Sequence, residues 1–361
     1  MVRCRLLAML GALAGAFALD PASASAASRT PRNAFGQPDL SGDWSNASIT
    51  PLTRNRNISD KASLTAPEAK RLEGEWARAL AEDDQTTSPT ASVADSTEKF
   101  KNSRIVQFRP DLVSAGSGGA TGGYNTFWID PGNHLVEIDG QYRTSIVTTP
   151  DGQIPKARAG APLARAAAVR RDSYDNPEDR PLGERCIAFA GRNAGPPMLS
   201  NGYYNNSYQI VQTKDEVTVV VELVHDVRHI RLNAQHRTDG LRPSLGDSVG
   251  RYEGDALVVE TNSFPERENF MGAWRNLKVT EWFRRVSSDK IVYRFQVEDP
   301  DVWERPWGGE GVFNALKTGG VFEYACHEGN YALRNVLAGA RMRDREARSE
   351  PAAAATRSGG G

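Results

Sequence analysis

The sequence predicts a mainly β fold, an antiparallel sheet closed as a barrel, lipocalin-like among the options, or packed as a sandwich, with a few peripheral helices. Period-two runs rich in Val, Ile, Tyr and Phe recur through the second half of the chain. Clusters of turn-forming residues separate these runs at short intervals. Helical spacing is confined to a few positions. The pattern is clearest in Lys290–Glu298, where Ile291, Tyr293, Phe295 and Val297 fall on one face and Val292, Arg294, Gln296 and Glu298 on the other, as in a half-buried antiparallel strand.

In chain order, Arg3 and Arg5 precede an apolar and small-residue run, Leu6–Leu19. The small triplets Ala22-Ser23-Ala24 and Ala24-Ser25-Ala26 follow, so residues 1–26 read as an export signal. The run is shorter than the roughly 20 residues that a spanning helix needs, and no later stretch approaches it. The mature chain is therefore expected to be periplasmic or secreted, with no membrane span, and the lack of a Cys after the run argues against a lipid anchor. Residues 27–37 are polar. Asp39-Leu40-Ser41-Gly42-Asp43-Trp44 begins a strand with the Gly-x-Trp pattern of small up-and-down barrels. Thr65-Ala66-Pro67-Glu68 is a capping box, with Ala69, Leu72, Trp76 and Leu80 at helical spacing behind it. Asp83–Thr97 is an exposed loop.

Further on, Phe127–Ile129 and His134–Ile138 flank Asp130-Pro131-Gly132-Asn133, which predicts a hairpin. Tyr142–Thr148 is another strand, residues 149–160 a loop and Ala161–Arg171 a short helix. Beyond Gly195-Pro196-Pro197 the strands Ser207–Gln212, Glu216–Leu232, Ala256–Thr261, Leu277–Val286 and Lys290–Glu298 are expected, with Ser287-Ser288-Asp289 turning between the last two. Val321–Ala325 reads as a final strand, Tyr331–Met342 as a closing helix and residues 343–361 as a disordered tail. One domain over 39–340 results.

Charge narrows the function. With 44 Lys and Arg against 45 Asp and Glu in 361 residues, no cationic excess exists to neutralise phosphates. Neither nucleic-acid binding nor charge-driven membrane adsorption has an electrostatic basis. Of three Cys, Cys4 leaves with the signal, and Cys186 and Cys326 either pair in an oxidising compartment or remain separate buried thiols. A nucleophilic Cys326 would need a His other than His327, because adjacent strand residues point to opposite faces.

Two polar clusters carry candidate chemistry. In Glu222-Leu223-Val224-His225-Asp226-Val227-Arg228, strand periodicity places Glu222, Asp226 and Arg228 on one face and His225 on the other. Burying such groups unpaired costs several kcal/mol, so they form an ion pair of Arg228 with Asp226 or Glu222, or they line a wet site. In Cys326-His327-Glu328-Gly329-Asn330-Tyr331, His327 is a general acid or base with Asp226 or Glu328 as partner, or the segment simply begins a helix. Tyr204, Asn205, Trp303 and Trp307 are candidate pocket walls. His225, His229, His327 and Glu328 lack diagnostic metal spacing. No Gly-x-Ser-x-Gly elbow, phosphate loop or dinucleotide fingerprint occurs, and Gly116–Gly123 reads as a loop.

Asp39–Trp44, Thr121–Asn125, Tyr204-Asn205-Asn206, His225–Arg228, Tyr252–Thr261 and Tyr324–Asn330 together resemble the recurring signatures of a large family of secreted bacterial proteins. The match runs from about Asp39 to Ala340, and His229 stands where that pattern has an aliphatic residue. The resemblance implies one integrated fold and singles out His225, Asp226, Arg228, His327 and Glu328 without implying a reaction. Two functions follow from the residues. One is an exported, cofactor-independent lyase, isomerase or hydrolase using His and carboxylate acid–base chemistry on a small organic molecule, with Arg228 stabilising developing negative charge. The other is a secreted barrel that binds a small molecule without turning it over.

Overall fold

The computed structural model describes residues 30–83, 130, 132–164, 174–188, 194–200 and 205–357. The export signal, the 84–97 loop, the glycine run 116–123, the hairpin arm Phe127–Ile129, most of the Ala161–Arg171 helix and Tyr204 lie outside these residues.

Twelve strands and two α-helices are described: β1 (Gly42–Ser45), β2 (Ser63–Leu64), α1 (Ala66–Asp83), β3 (Glu137–Ile138), β4 (Gln141–Arg143), β5 (Ser207–Gln212), β6 (Glu216–Val221), β7 (Val227–Leu232), β8 (Asp247–Glu253), β9 (Ala256–Asn262), β10 (Lys278–Arg285), β11 (Lys290–Glu298), β12 (Trp307–Ala315) and α2 (Ala332–Arg357). Nine strands close a barrel in the order β1-β12-β11-β10-β9-β8-β7-β6-β5, while β2, β4 and β3 form a separate small sheet. The expected barrel is thus present. It is mixed rather than purely antiparallel, because β7 and β8 run parallel with Ile230 opposite Ser248. Parallel neighbours cannot be joined by a tight turn, and residues 233–246 supply the longer crossover.

Alternation fills the lumen. Tyr208 and Ile210, Val217, Val219 and Val221, Leu257 and Val259, Val279 and Phe283, Ile291, Tyr293, Phe295 and Val297, and Phe313 form one buried cluster with Trp44. Rings meet across the strands, Tyr293 edge-on to Phe313 at 5.5 Å and Tyr208 edge-on to Phe313 at 5.2 Å. The segment 194–198, with cis bonds before Pro196 and Pro197, enters one end, where Met198 is buried and its N–H donates to Tyr293 Oη at 2.8 Å. On the outer face, Val136 and Ile138 of the small sheet cover Val292 and Val312. Helix α1 places Ala69, Leu72 and Trp76 against Ile49, Leu64 and Leu135. Burying each large side chain contributes about 1.5–3 kcal/mol.

The capping box forms in part. Glu68 accepts from the Thr65 N–H at 2.8 Å and the Thr65 hydroxyl at 2.9 Å. Lys61, followed by these two donors, lowers the Glu68 pKa from 4.5 to about 2. A depressed carboxylate stabilises the fold fully above its unfolded value and loses that contribution as pH falls from 4.5 towards 2. Amide exchange in the first turn of α1 is therefore expected to accelerate over that interval, and Glu68→Gln should remove the pH dependence.

Three local expectations are corrected, and one turn is added. Glu216–Leu232 is two strands rather than one, because Val224 and His225 adopt positive φ (60° and 49°) and reverse the chain into a β6–β7 hairpin. A tight turn that the pattern does not announce is Asp139-Gly140, both residues at positive φ, joining β3 to β4. Val321–Ala325 is not a strand; the last one is the glycine-rich β12, and like β8 it lacks a legible apolar alternation. The closing helix does not stop at Met342 but continues as α2 to Arg357 through Ala, Arg and Glu, all strong helix formers.

Candidate functional site at one end of the barrel

The β6–β7 turn stands where β5 begins and β6 ends, since Tyr208 pairs with Val221 and Val220 with Val227. The registers of β10, β11 and β12 place Trp307, opposite Val297, at this same end. The turn conformation sets the site. Val224, buried and β-branched, is costly at positive φ, and it persists because the hairpin and the core around Leu223 hold it.

Glu222, 6% exposed, is the centre of the cluster. Its Oε1 accepts from Asn205 Nδ2 at 2.6 Å, and its Oε2 from the Phe322 N–H at 3.0 Å. Asn205, itself at positive φ, is thereby oriented, and the segment leading to Cys326 is tied to the turn. The neighbouring Asn206 side chain is buried, accepts from Ser200 Oγ at 3.2 Å and donates to the Asp130 carbonyl at 3.0 Å. Asp130 keeps exposed surface, yet the protein around its carboxyl raises its pKa by desolvation; the Gly132 N–H opposes this and the charge of Glu222 reinforces it. Two carboxylates from distant parts of the chain thus sense one another. Asp130 escaped the sequence reading because it sat in an expected hairpin turn.

The named residues divide. His225 and Asp226 lie in the turn beside Glu222, with His225 exposed. His327 and Glu328 lie in an exposed turn before α2, linked to the site through Phe322 and Glu222, and neither the His225 nor the His327 side chain has a hydrogen-bond or ion-pair partner within the described residues. Cys186 and Cys326 form a disulfide. Arg228 is corrected: it points into the lumen at 2% exposure and pairs with Glu281 of β10, not with Asp226 or Glu222. Trp303 and Trp307 belong to the core, 5.6 Å apart and edge-on, with Trp303 Nε1 donating to the Pro155 carbonyl at 3.1 Å. Among the described residues, Trp307 Nε1 is buried with no acceptor. Among the described residues no group of three or more His, Cys, Asp and Glu is arranged to hold a metal ion. No described helix is long and apolar enough to cross a membrane.

No family model matches the chain, and no curated protein matches it. Among solved structures, a mutant of the fluorescent protein UnaG is similar over 31% of this chain and 72% of that one, at 16% identity and a TM-score of 0.21. The barrel assignment rests on this chain's own strand pairing.

Proposed function

We propose that the protein is an exported enzyme acting on a small organic molecule by acid–base chemistry at this end of the barrel. The observation that carries the reading is the carboxylate pair, Glu222 buried and held by two donors, with Asp130 nearby and its pKa raised. In this reading Asp130, its pKa raised by desolvation, supplies the proton, and the Glu222 carboxyl, positioned by the Asn205 amide and the Phe322 N–H, receives one. His225 and Asp226 border the pair, and the strained turn supports a functional role for the segment. His327 and Glu328 stand on the segment that Glu222 anchors at Phe322.

Export is supported by the disulfide, which belongs to oxidising compartments, together with the leader-like first 26 residues. The non-catalytic alternative, a ligand held inside the lumen, draws less support, because aromatic side chains and Met198 occupy that space.

The test is a metabolite screen of the mature protein by thermal shift, with mass spectrometry of each hit for product. A stabilising compound that is converted is expected, and Glu222→Gln, which preserves an acceptor for Phe322, should reduce turnover about 10²–10⁴-fold with the melting temperature kept. Hits that bind without conversion, or full turnover in Glu222→Gln, refute the reading.

A further inference from the structure

The outer face of β10–β12 bears a groove unrelated to the Glu222 cluster. It is open, has a volume of about 830 Å³, and is bounded by the Thr148–Pro150 loop and by Arg305-Pro306. The strand registers set its floor: Trp282 lies opposite Arg294, Arg294 opposite Glu310, and Arg284 opposite Val292. Arg284 and Arg294 are therefore diagonal neighbours on one face, with the half-buried Trp282 beside both. Gly308 and Gly309 leave the far side of the floor bare. A Cβ at Gly308 would stand 2.2 Å from the Phe295 carbonyl oxygen, so no side chain fits there.

The charge of this groove is unbalanced. Beside the groove, other strand cations are paired with carboxylates: Arg251 with Glu253 and Glu260, and Lys278 with Glu298. In the groove, the carboxylate of Glu310 is shared, bound closely by Arg143 and at 3.4 Å by Arg294. Arg284 and Arg305 have no carboxylate partner among the described residues, although the chain as a whole carries one more acidic than basic residue. Like charges placed this close are unfavourable without a counter-ion. An indole flanked by guanidinium groups offers a flat apolar surface beside planar donors, which suits a flat ring bearing a carboxylate.

We infer that this groove binds a small aromatic carboxylate, its ring on Trp282 and its carboxylate between Arg284, Arg294 and Arg305. The groove volume falls within the range of small-ligand sites, about 300–1,000 Å³. The inference does not depend on the acid–base site.

Titration of the mature protein with 2-naphthoate and with uncharged 2-naphthamide, followed by calorimetry at low and at 0.5 M NaCl, tests it. Naphthoate is expected to bind at least ten-fold more tightly than the amide, and to weaken with salt. The Arg284→Gln/Arg294→Gln variant and, separately, Arg305→Gln should each lose at least three-fold in naphthoate affinity, Trp282→Leu should weaken both compounds, and Glu222→Gln should change neither. These Arg side chains are solvent-facing, so unchanged melting temperatures verify folding. No naphthoate binding at millimolar concentration, equal affinity for the amide, or indifference to the Arg substitutions overturns the inference. Loss of binding in Glu222→Gln would instead place the carboxylate ligand at the barrel end.

Discussion

Arg228→Met is expected to cost about 3–5 kcal/mol of folding stability, the usual cost of removing one member of a buried ion pair. Arg228 and Glu281 are 2% and 0% exposed. The guanidinium donates to Glu281 at 3.1 Å, to Thr261 Oγ1 at 2.9 Å and to Ser248 Oγ at 3.2 Å. Tyr293 Oη donates to Glu281 at 2.8 Å, and burial, then the Glu281 charge, pushes the Tyr293 pKa well up. Deleting the cation leaves a carboxylate in the lumen with only a phenol beside it. In Arg228→Met/Glu281→Leu neither charge remains, so most of the lost stability should return. Urea unfolding with an unchanged m-value measures both variants. A single variant within 1 kcal/mol of the wild type, or a double variant worse than the single, would contradict this account. The network spans β7 to β11, so its loss should weaken barrel closure without touching Glu222.

Removing the disulfide should have an effect of similar size. Cys186 and Cys326 are 140 residues apart in sequence. In the chain-entropy account, closing a loop of this length stabilises by about 4–5 kcal/mol. The bond fastens the 174–188 segment to the strap that runs from β12 past Glu222 to α2, where Asn330 Nδ2 also donates to the Cys326 carbonyl at 3.0 Å. Cys186→Ser/Cys326→Ser should lower the urea midpoint accordingly, and reduction of the wild type should reproduce the loss. Should the midpoint stay in place, the Glu222–Phe322 contact and core packing would be holding the strap unaided.

Much of the barrel was legible. Ser207–Gln212 and the alternation of Lys290–Glu298 follow from period-two burial, and Trp44 from a Gly-x-Trp segment whose indole Nε1 donates to the Leu40 carbonyl at 3.0 Å. The β12 strand was illegible because Gly308, Gly309 and Gly311 erase the alternation, the first two allowing a close approach that a side chain would block. The β6–β7 turn was illegible for the opposite reason. Val and Leu continue the strand pattern through it, and a buried Val at positive φ carries no local signal.

The site shows the same division. Glu222, His225 and Asp226 could be marked as polar interruptions of a Val-rich run, while the face each occupies could not, since one reversal of the chain inverts the parity on which that assignment depends. Residue type and periodicity by themselves determined a β-rich fold, its helix α1 and the positions of its exceptional polar groups, because those depend on burial of alternate side chains and on local capping. Partner choice belonged to the tertiary structure alone. That Arg228 meets Glu281, Glu222 meets Asn205 and senses Asp130, and Cys186 meets Cys326 is decided by which strands and loops barrel closure brings side by side, and separation along the chain carries no record of it.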